Sequence, residues 1–470
     1  MSATATTEKK YLKWYQKLAY GSGDLASNCS YGLVSSFVLL YLTGTLGLDS
    51  AIIGSLMLAS KVLDGISDVI FGTLIDRTHS KLGKARPWML FGQVGVSLCL
   101  FLLFAIPAGS TTMQYIYFFI VYTALNAVFY TANGIAYSSL VALITKNNNE
   151  RVQLGSFRFM FAVVTNIFMG FAVTGMVEKF GSGAAGWRTT ALIFAIVGLV
   201  VNTISCLAVK ELPEEELSGN TSEAAEEGKA VAEEKKHGFA ETAKILVHNK
   251  YYLMILAIYI VYYIMSNLTT GAGVFCATYY WGDGSLLGQF SMMKMFPVII
   301  ALAIAPVLIK KTGSMQKVNF WGYAISSVLG IPMIYFAMQK NLSMFLLFMF
   351  IKGVFAGTLS GSLNALIAEA SGYTTRTTGV HMDGMMYSCS SLGVKVGGGI
   401  GTAAVGWLLK LGGFVGTATV QSESAIRMIF NLYITFPFVI GIIITVLLAF
   451  LNVEKANKKW DAEHQKEAQA

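Results

Sequence analysis

Twelve apolar windows, each of about 20 residues and so long enough to cross a bilayer as a helix, recur along this chain between short polar connections. They lie near 20–45, 51–75, 87–106, 113–143, 155–177, 187–209, 251–280, 286–309, 318–338, 342–369, 385–409 and 427–450. In hydrocarbon a backbone must pair its own N–H and C=O groups, and windows of this length can do so only as helices. Charge agrees: 13% of the 470 residues are charged, against about 25% in soluble domains. The expectation is an all-α membrane protein with 12 transmembrane helices in two six-helix halves.

Lysine and arginine set the orientation. With the N-terminus inside, cytoplasmic segments hold 24 of the 34, outside loops hold 5, and 5 lie within spans (Lys61, Arg158, Lys294, Lys352, Lys395). Both termini are therefore expected in the cytoplasm of a multi-pass protein of the cell (inner) membrane. The net charge of +8 is assigned to topology and anionic lipid head groups, with no nucleic-acid partner. The start, "MSATATTEKKYLKWYQK", lacks the apolar core of a cleaved signal peptide. The five cysteines all sit in apolar runs without a CxxC, so neither a disulfide framework nor a zinc site is expected. Composition divides the chain into an N-terminal segment (1–19), a six-helix bundle (20–209), a polar Glu/Lys/Ala-rich middle loop (210–250), a second bundle (251–451) and a tail (452–470).

Chemistry concentrates in the second span, where "KVLDGISDVIFGTLIDR" places Asp64 and Asp68 four residues apart. That spacing puts both carboxylates on one helix face about 6 Å apart along the axis. A charge at that depth costs roughly 2.5–3.5 kcal/mol, and like charges add repulsion. Protonation of one carboxylate, or a cation bound between them, relieves both, with the Ser67 hydroxyl as a further hard oxygen; a structural ion pair with Lys61 or Lys395 is the alternative. A catalytic role finds little support. His381 and Asp383 are two residues apart and do not share a helix face, and no GxxxxGK[ST] phosphate loop is present. No enzyme and no cofactor are expected.

The loop "GTLIDRTHSKLGKARPW" (Gly72 to Trp88) resembles the signature of the major facilitator superfamily between helices two and three. Asp76, Arg77 and Arg86 are its candidate gating charges. The runs "YGSGDLASNCSYGLVSSFVLLYLTGTLGL", "DGISDVIFGTLIDRTHSKLGKARPWML", "NERVQLGSFRFMFA", "AYSSLVALIT" and "GVHMDGMMYSCSSLGVKVGGGIG" together resemble the glycoside–pentoside–hexuronide:cation symporters, the family of melibiose permease and the glucuronide carriers. The resemblance covers essentially the whole membrane part. It implies the major facilitator fold and cation-coupled symport by alternating access, in which two halves rock about a filled site, by a monomer. Its cargo would be a small-molecule glycoside and a monovalent cation, Na⁺ or H⁺. A lysolipid or drug carrier on the same fold is the alternative.

Carried over by position, the family's cation site falls on Asp64 and Asp68 with Thr131, and its basic residues near the sugar on Arg158 and Lys395. Where melibiose permease has an asparagine between its carboxylates, this chain has Ser67. Sugar-gripping acids are replaced by Asn28 and Gly134, and aromatic platforms by Ser138 and Ser360; of the acidic and tyrosine-containing end of the tenth helix, Glu369 and Tyr373 remain. A sugar wants bidentate polar partners and a flat apolar face. Asn28, Asn133, Arg158 and Lys395 are the candidate partners, and Tyr31, Tyr130 and Tyr137 the candidate platforms. Losing two acids while keeping two bases tilts the expectation towards an anionic glycoside such as a glucuronide.

Overall fold

A computed structural model describes residues 9–213, 216, 245–379, 383–418 and 420–467. Most of the middle loop, His381 and the Asp383 side chain lie outside the described residues. Among the described residues twelve long helical runs follow one another: α1 Trp14–Thr45, α2 Ser50–Asp76, α3 Arg86–Leu103, α4 Thr111–Ile144, α5 Asn148–Lys179, α6 Gly183–Leu207, α7 Lys250–Tyr280, α8 Leu286–Thr312, α9 Met315–Met338, α10 Leu342–Thr378 and α11 Asp383–Leu411. The twelfth, α12, joins Glu423–Phe430, Asn431–Thr435 and Phe436–Phe450. Eleven runs are long and apolar enough to span a membrane, and α2 matches them with 27 residues. Phe91, Val307 and Phe450 stand exposed on their helices, as side chains solvated by lipid would.

The helices overrun the apolar windows. α1 begins at Trp14, α5 at Asn148, and α10 runs to Thr378. Hydropathy marks only the hydrocarbon slab, whereas a helix continues until a cap stops it. The side chains of Asn147 and Asn341 accept from Glu150 N and Met344 N, each at 3.1 Å. Gly379, at φ 70°, ends α10 in the left-handed conformation.

The chain divides into two compact units, residues 1–48 with 59–236 and residues 49–58 with 237–470. In the first, α1 packs on α5 and α6, and α3 on α4 and α6. The Glu211 carboxylate closes the start of α3, accepting from Lys84 N, Ala85 N and Arg86 N at 2.7, 2.9 and 3.0 Å. Glu150 likewise takes Tyr11 N, Leu12 N and the Thr145 hydroxyl.

In the second unit α7 packs on α11, and α10 on α8 and α9. The glycine cluster of α11 is a packing seam: a Cβ on Gly393, Gly397 or Gly401 would come within 2.4, 2.4 and 2.6 Å of α7. The first turns of α2 meet the end of α11 in the same unit, where Ser50 Oγ donates to Gly406 O at 2.9 Å and Lys410 Nζ lies 2.6 Å from Asp49. Residues 453–467, read from the sequence as polar tail, form a further helix, α13 (Val453–Glu467). It is held because Glu454 caps the start of α9 through Met315 N and Gln316 N at 2.8 and 3.1 Å, the counterpart of Glu211 at α3.

Candidate functional site

Three helices of the first unit bring charge together. On α1, Asp24, Asn28 and Tyr31 recur at spacings of four and three, which places them on one face. Asp24 Oδ2 lies 2.6 Å from Arg158 Nε of α5 and 3.2 Å from the Tyr137 hydroxyl of α4. The guanidinium sits 4.2 Å from the centre of the Tyr137 ring. One acid thus holds both the planar cation and the aromatic beneath it. Arg158 spends Nε on Asp24, and a guanidinium carries five N–H donors, so its fork keeps donors for a ligand.

One turn along α1, Asn28 donates to Asp24 O at 2.7 Å and accepts from Asn166 of α5 at 2.9 Å. Next, Tyr31 stacks on Tyr130 of α4 with ring centres 5.4 Å apart. Lys61 of α2 lies 5.9 Å from the Tyr31 ring and 3.5 Å from Asp64 Oδ2. Asp64 Oδ1 accepts from the Thr131 hydroxyl at 2.7 Å. That hydroxyl also lies 2.9 Å from Asn126 O. Residues Ala124–Tyr130 form a π-helical turn, which redirects the Asn126 carbonyl to the Thr131 backbone N–H and side chain. The half-buried carboxylate therefore has an ammonium on one oxygen and a hydroxyl on the other.

The other candidates are spread over α2, α3, α4 and α11. Ser67 Oγ donates to Asp64 O at 2.9 Å, so its hydroxyl proton is committed to its own helix. Asp68, one turn on, is half-buried. Asn133 is buried between α3, α4 and α6, donating to Met89 O at 2.8 Å beside Gln93 and Asn202. Tyr137 is buried too, its hydroxyl donating to Tyr20 O at 2.8 Å. Lys395 is half-buried on α11 in the second unit. Asp76 and Arg77 stand exposed at the end of α2. Arg86 is buried, its Nε donating to Cys206 O of α6 at 3.2 Å. No hydrogen bond or ion pair joins Asp76 or Arg77 to Arg86 among the described residues.

Sequence reasoning passed over Asp24 as the partner of Arg158. The signal was available: an acid inside the first apolar run, one helical turn before Asn28. Its consequence is electrostatic, because Asp24 balances the guanidinium whose charge had tilted the expectation towards an anion.

Long apolar helices with a half-buried carboxylate–ammonium–hydroxyl cluster on α2 and α4 define a polytopic membrane transporter. The comparisons make the class specific. The chain belongs to the MFS/sugar transport protein family, whose model matches residues 19–455. It is therefore a transport protein and not an enzyme.

It is similar to the isoprimeverose transporter of Lactiplantibacillus pentosus, 26% identical over 466 residues that cover 98% of this chain and 93% of that one. It is also similar to a putative glycoside/cation symporter of Escherichia coli (strain K12), 24% identical over 443 residues covering 94% and 92%. Among solved structures, a D-xylose-proton symporter superposes with a TM-score of 0.63 at 12% identity, covering 94% of this chain and 98% of that one. A bacterial homologue of the lysosomal transporter Spinster, inward-facing and unoccupied, does so with 0.68 at 13%, covering 95% and 98%. At these identities the likeness establishes the fold.

Proposed function

We propose that the protein carries a sugar or glycoside by alternating access, coupled to Na⁺ or H⁺, as a monomer with both termini on the cytoplasmic face of the inner membrane. One observation carries this reading. The Asp64 carboxylate, on a helix otherwise suited to lipid, is met by Lys61 at 3.5 Å and by the Thr131 hydroxyl at 2.7 Å. An ammonium at 3.5 Å is a loose partner that an entering cation can displace. The Thr131 hydroxyl has one proton and two acceptors. With a cation seated, its lone pair turns to the ion and its proton to Asn126 O, so Thr131 joins the ligand shell while keeping a hydrogen bond of its own. Asp68, about 6 Å further along the helix, supplies the second charge. Coupling through H⁺ uses the same carboxylate as proton carrier. The sugar takes the donors of Arg158 and the Tyr31–Tyr130 stack. The relatives, an isoprimeverose transporter and a putative glycoside/cation symporter, point the same way.

The energetics suffice without ATP. One charge crossing 100 mV contributes about 2.3 kcal/mol. A tenfold cation gradient adds about 1.4 kcal/mol, together enough for accumulation of a few hundredfold. The test is uptake of labelled neutral glycosides and glucuronides into proteoliposomes under imposed Na⁺ and H⁺ gradients. Accumulation of at least one sugar under one gradient is expected, and D64C or D68C should abolish it. Undiminished accumulation in either variant refutes the site assignment.

A further inference from the structure

The second unit holds a cavity of about 190 Å³ between α7, α8, α9, α10 and α12, and its charges do not balance. Lys294 of α8 and Lys352 of α10 both line it, and no Asp or Glu does. They lie about 12 and 15 Å along their helices, at depths where neither reaches the helix end. Lys294 Nζ donates to the Thr270 and Thr269 hydroxyls at 3.1 and 3.4 Å, both neutral oxygens. Lys352 makes no hydrogen bond or ion pair with any described residue. Four further lining hydroxyls, those of Ser266, Tyr323, Ser326 and Tyr433, find no protein partner among the described residues either. Buried donors normally have partners, and buried cations are normally paired. Here two half-buried cations share one space with unpartnered hydroxyls, and among the described residues no carboxylate answers either cation.

We propose that this cavity binds a small hydroxylated carboxylate, a hexuronate or the uronic end of a glycoside. Its carboxylate bridges Lys294 and Lys352, and its ring hydroxyls meet Tyr323, Ser326 and Tyr433. The choice of a sugar ring rests on the carrier function proposed above; the demand for an anion rests on the two lysines alone. The first unit needs no such ligand, because there Asp24 already answers Arg158.

The experiment is calorimetric titration of the purified full chain in neutral-lipid nanodiscs at neutral pH with D-glucuronate, D-glucose and acetate. Glucuronate should bind at least about tenfold more tightly than glucose, the worth of one charge-assisted hydrogen bond, and more tightly than acetate. K294Q and K352Q should each cost a similar factor, whereas K352R should restore binding. Because Lys352 has no hydrogen-bond or ion-pair partner among the described residues, K352Q should leave the ligand-free melting temperature unchanged or raised, so that lost binding is not lost folding. Undetectable glucuronate binding, glucose or acetate binding as tightly as glucuronate, or unaltered binding in K352Q overturns the proposal. Gradient-driven uptake of the same sugars separates the two claims. Lysine-dependent binding without accumulation sinks the coupled-transport reading and leaves the cavity assignment standing. Accumulation with lysine-independent binding does the reverse.

Discussion

Replacing Asp24 by asparagine removes the charge that holds Arg158 over Tyr137 and leaves the side chain's shape nearly intact. A hydrogen bond to a charged group contributes about 1.5–3 kcal/mol. The two side chains keep 25% and 18% of their exposure, so partial screening places the effect at the lower end, about 1.5–2 kcal/mol. If the pair aims the guanidinium at the sugar, that loss appears as about a 10- to 30-fold rise in KM for uptake. The assay is initial-rate uptake of the best substrate into proteoliposomes for wild type, D24N, R158Q and the double variant. Asp24 acts through Arg158, so the double variant should be no worse than R158Q alone. A KM for D24N within about twofold of wild type, or single effects that multiply in the double variant, refutes the positioning role.

Other outcomes follow from the same contacts. Thr131→Val should disturb cation dependence while Thr131→Ser, which keeps the hydroxyl 2.7 Å from Asp64, should not; equal behaviour of the two removes Thr131 from the cation site. Gly406→Ala would put a Cβ 2.2 Å from Ser50 O, and such overpacking costs about 1–3 kcal/mol. Its melting temperature should fall, whereas a wild-type value contradicts the close approach of α2 to α11. At Asp49, between α1 and α2, burial pushes the carboxyl pKa up, but the Lys410 ammonium and the N–H groups of Ala51 and Ile52 outweigh it and hold the value below the ordinary one. A depressed folded pKa gives stability that is present above the unfolded value of about 4 and lost as pH falls through the folded one. Melting temperature should therefore drop on the acid side less in D49N than in wild type; identical acid limbs would show that this pair contributes nothing.

The sequence by itself determined the number and nature of the long helices, because apolar length is all that a bilayer requires. It also located the carboxylates of α2, since an ionisable residue in such a run is conspicuous wherever it points. Partners were a different matter. Asp24 and Arg158 are separated by 134 residues, and nothing local tells an acid on one helix which base faces it. Asn133 was a candidate sugar contact by residue type, yet helix rotation buries it between α3, α4 and α6. α13 was illegible because its helix is polar, and docking on α9 through Glu454, not hydrophobicity, keeps it in place. The pairing of Lys294 with Lys352 around one cavity was likewise decided by tertiary packing, which sets side chains from distant helices against each other. Hydrophobic length is a one-dimensional quantity that a sequence states outright, whereas the direction of each side chain depends on how every helix is rotated against its neighbours.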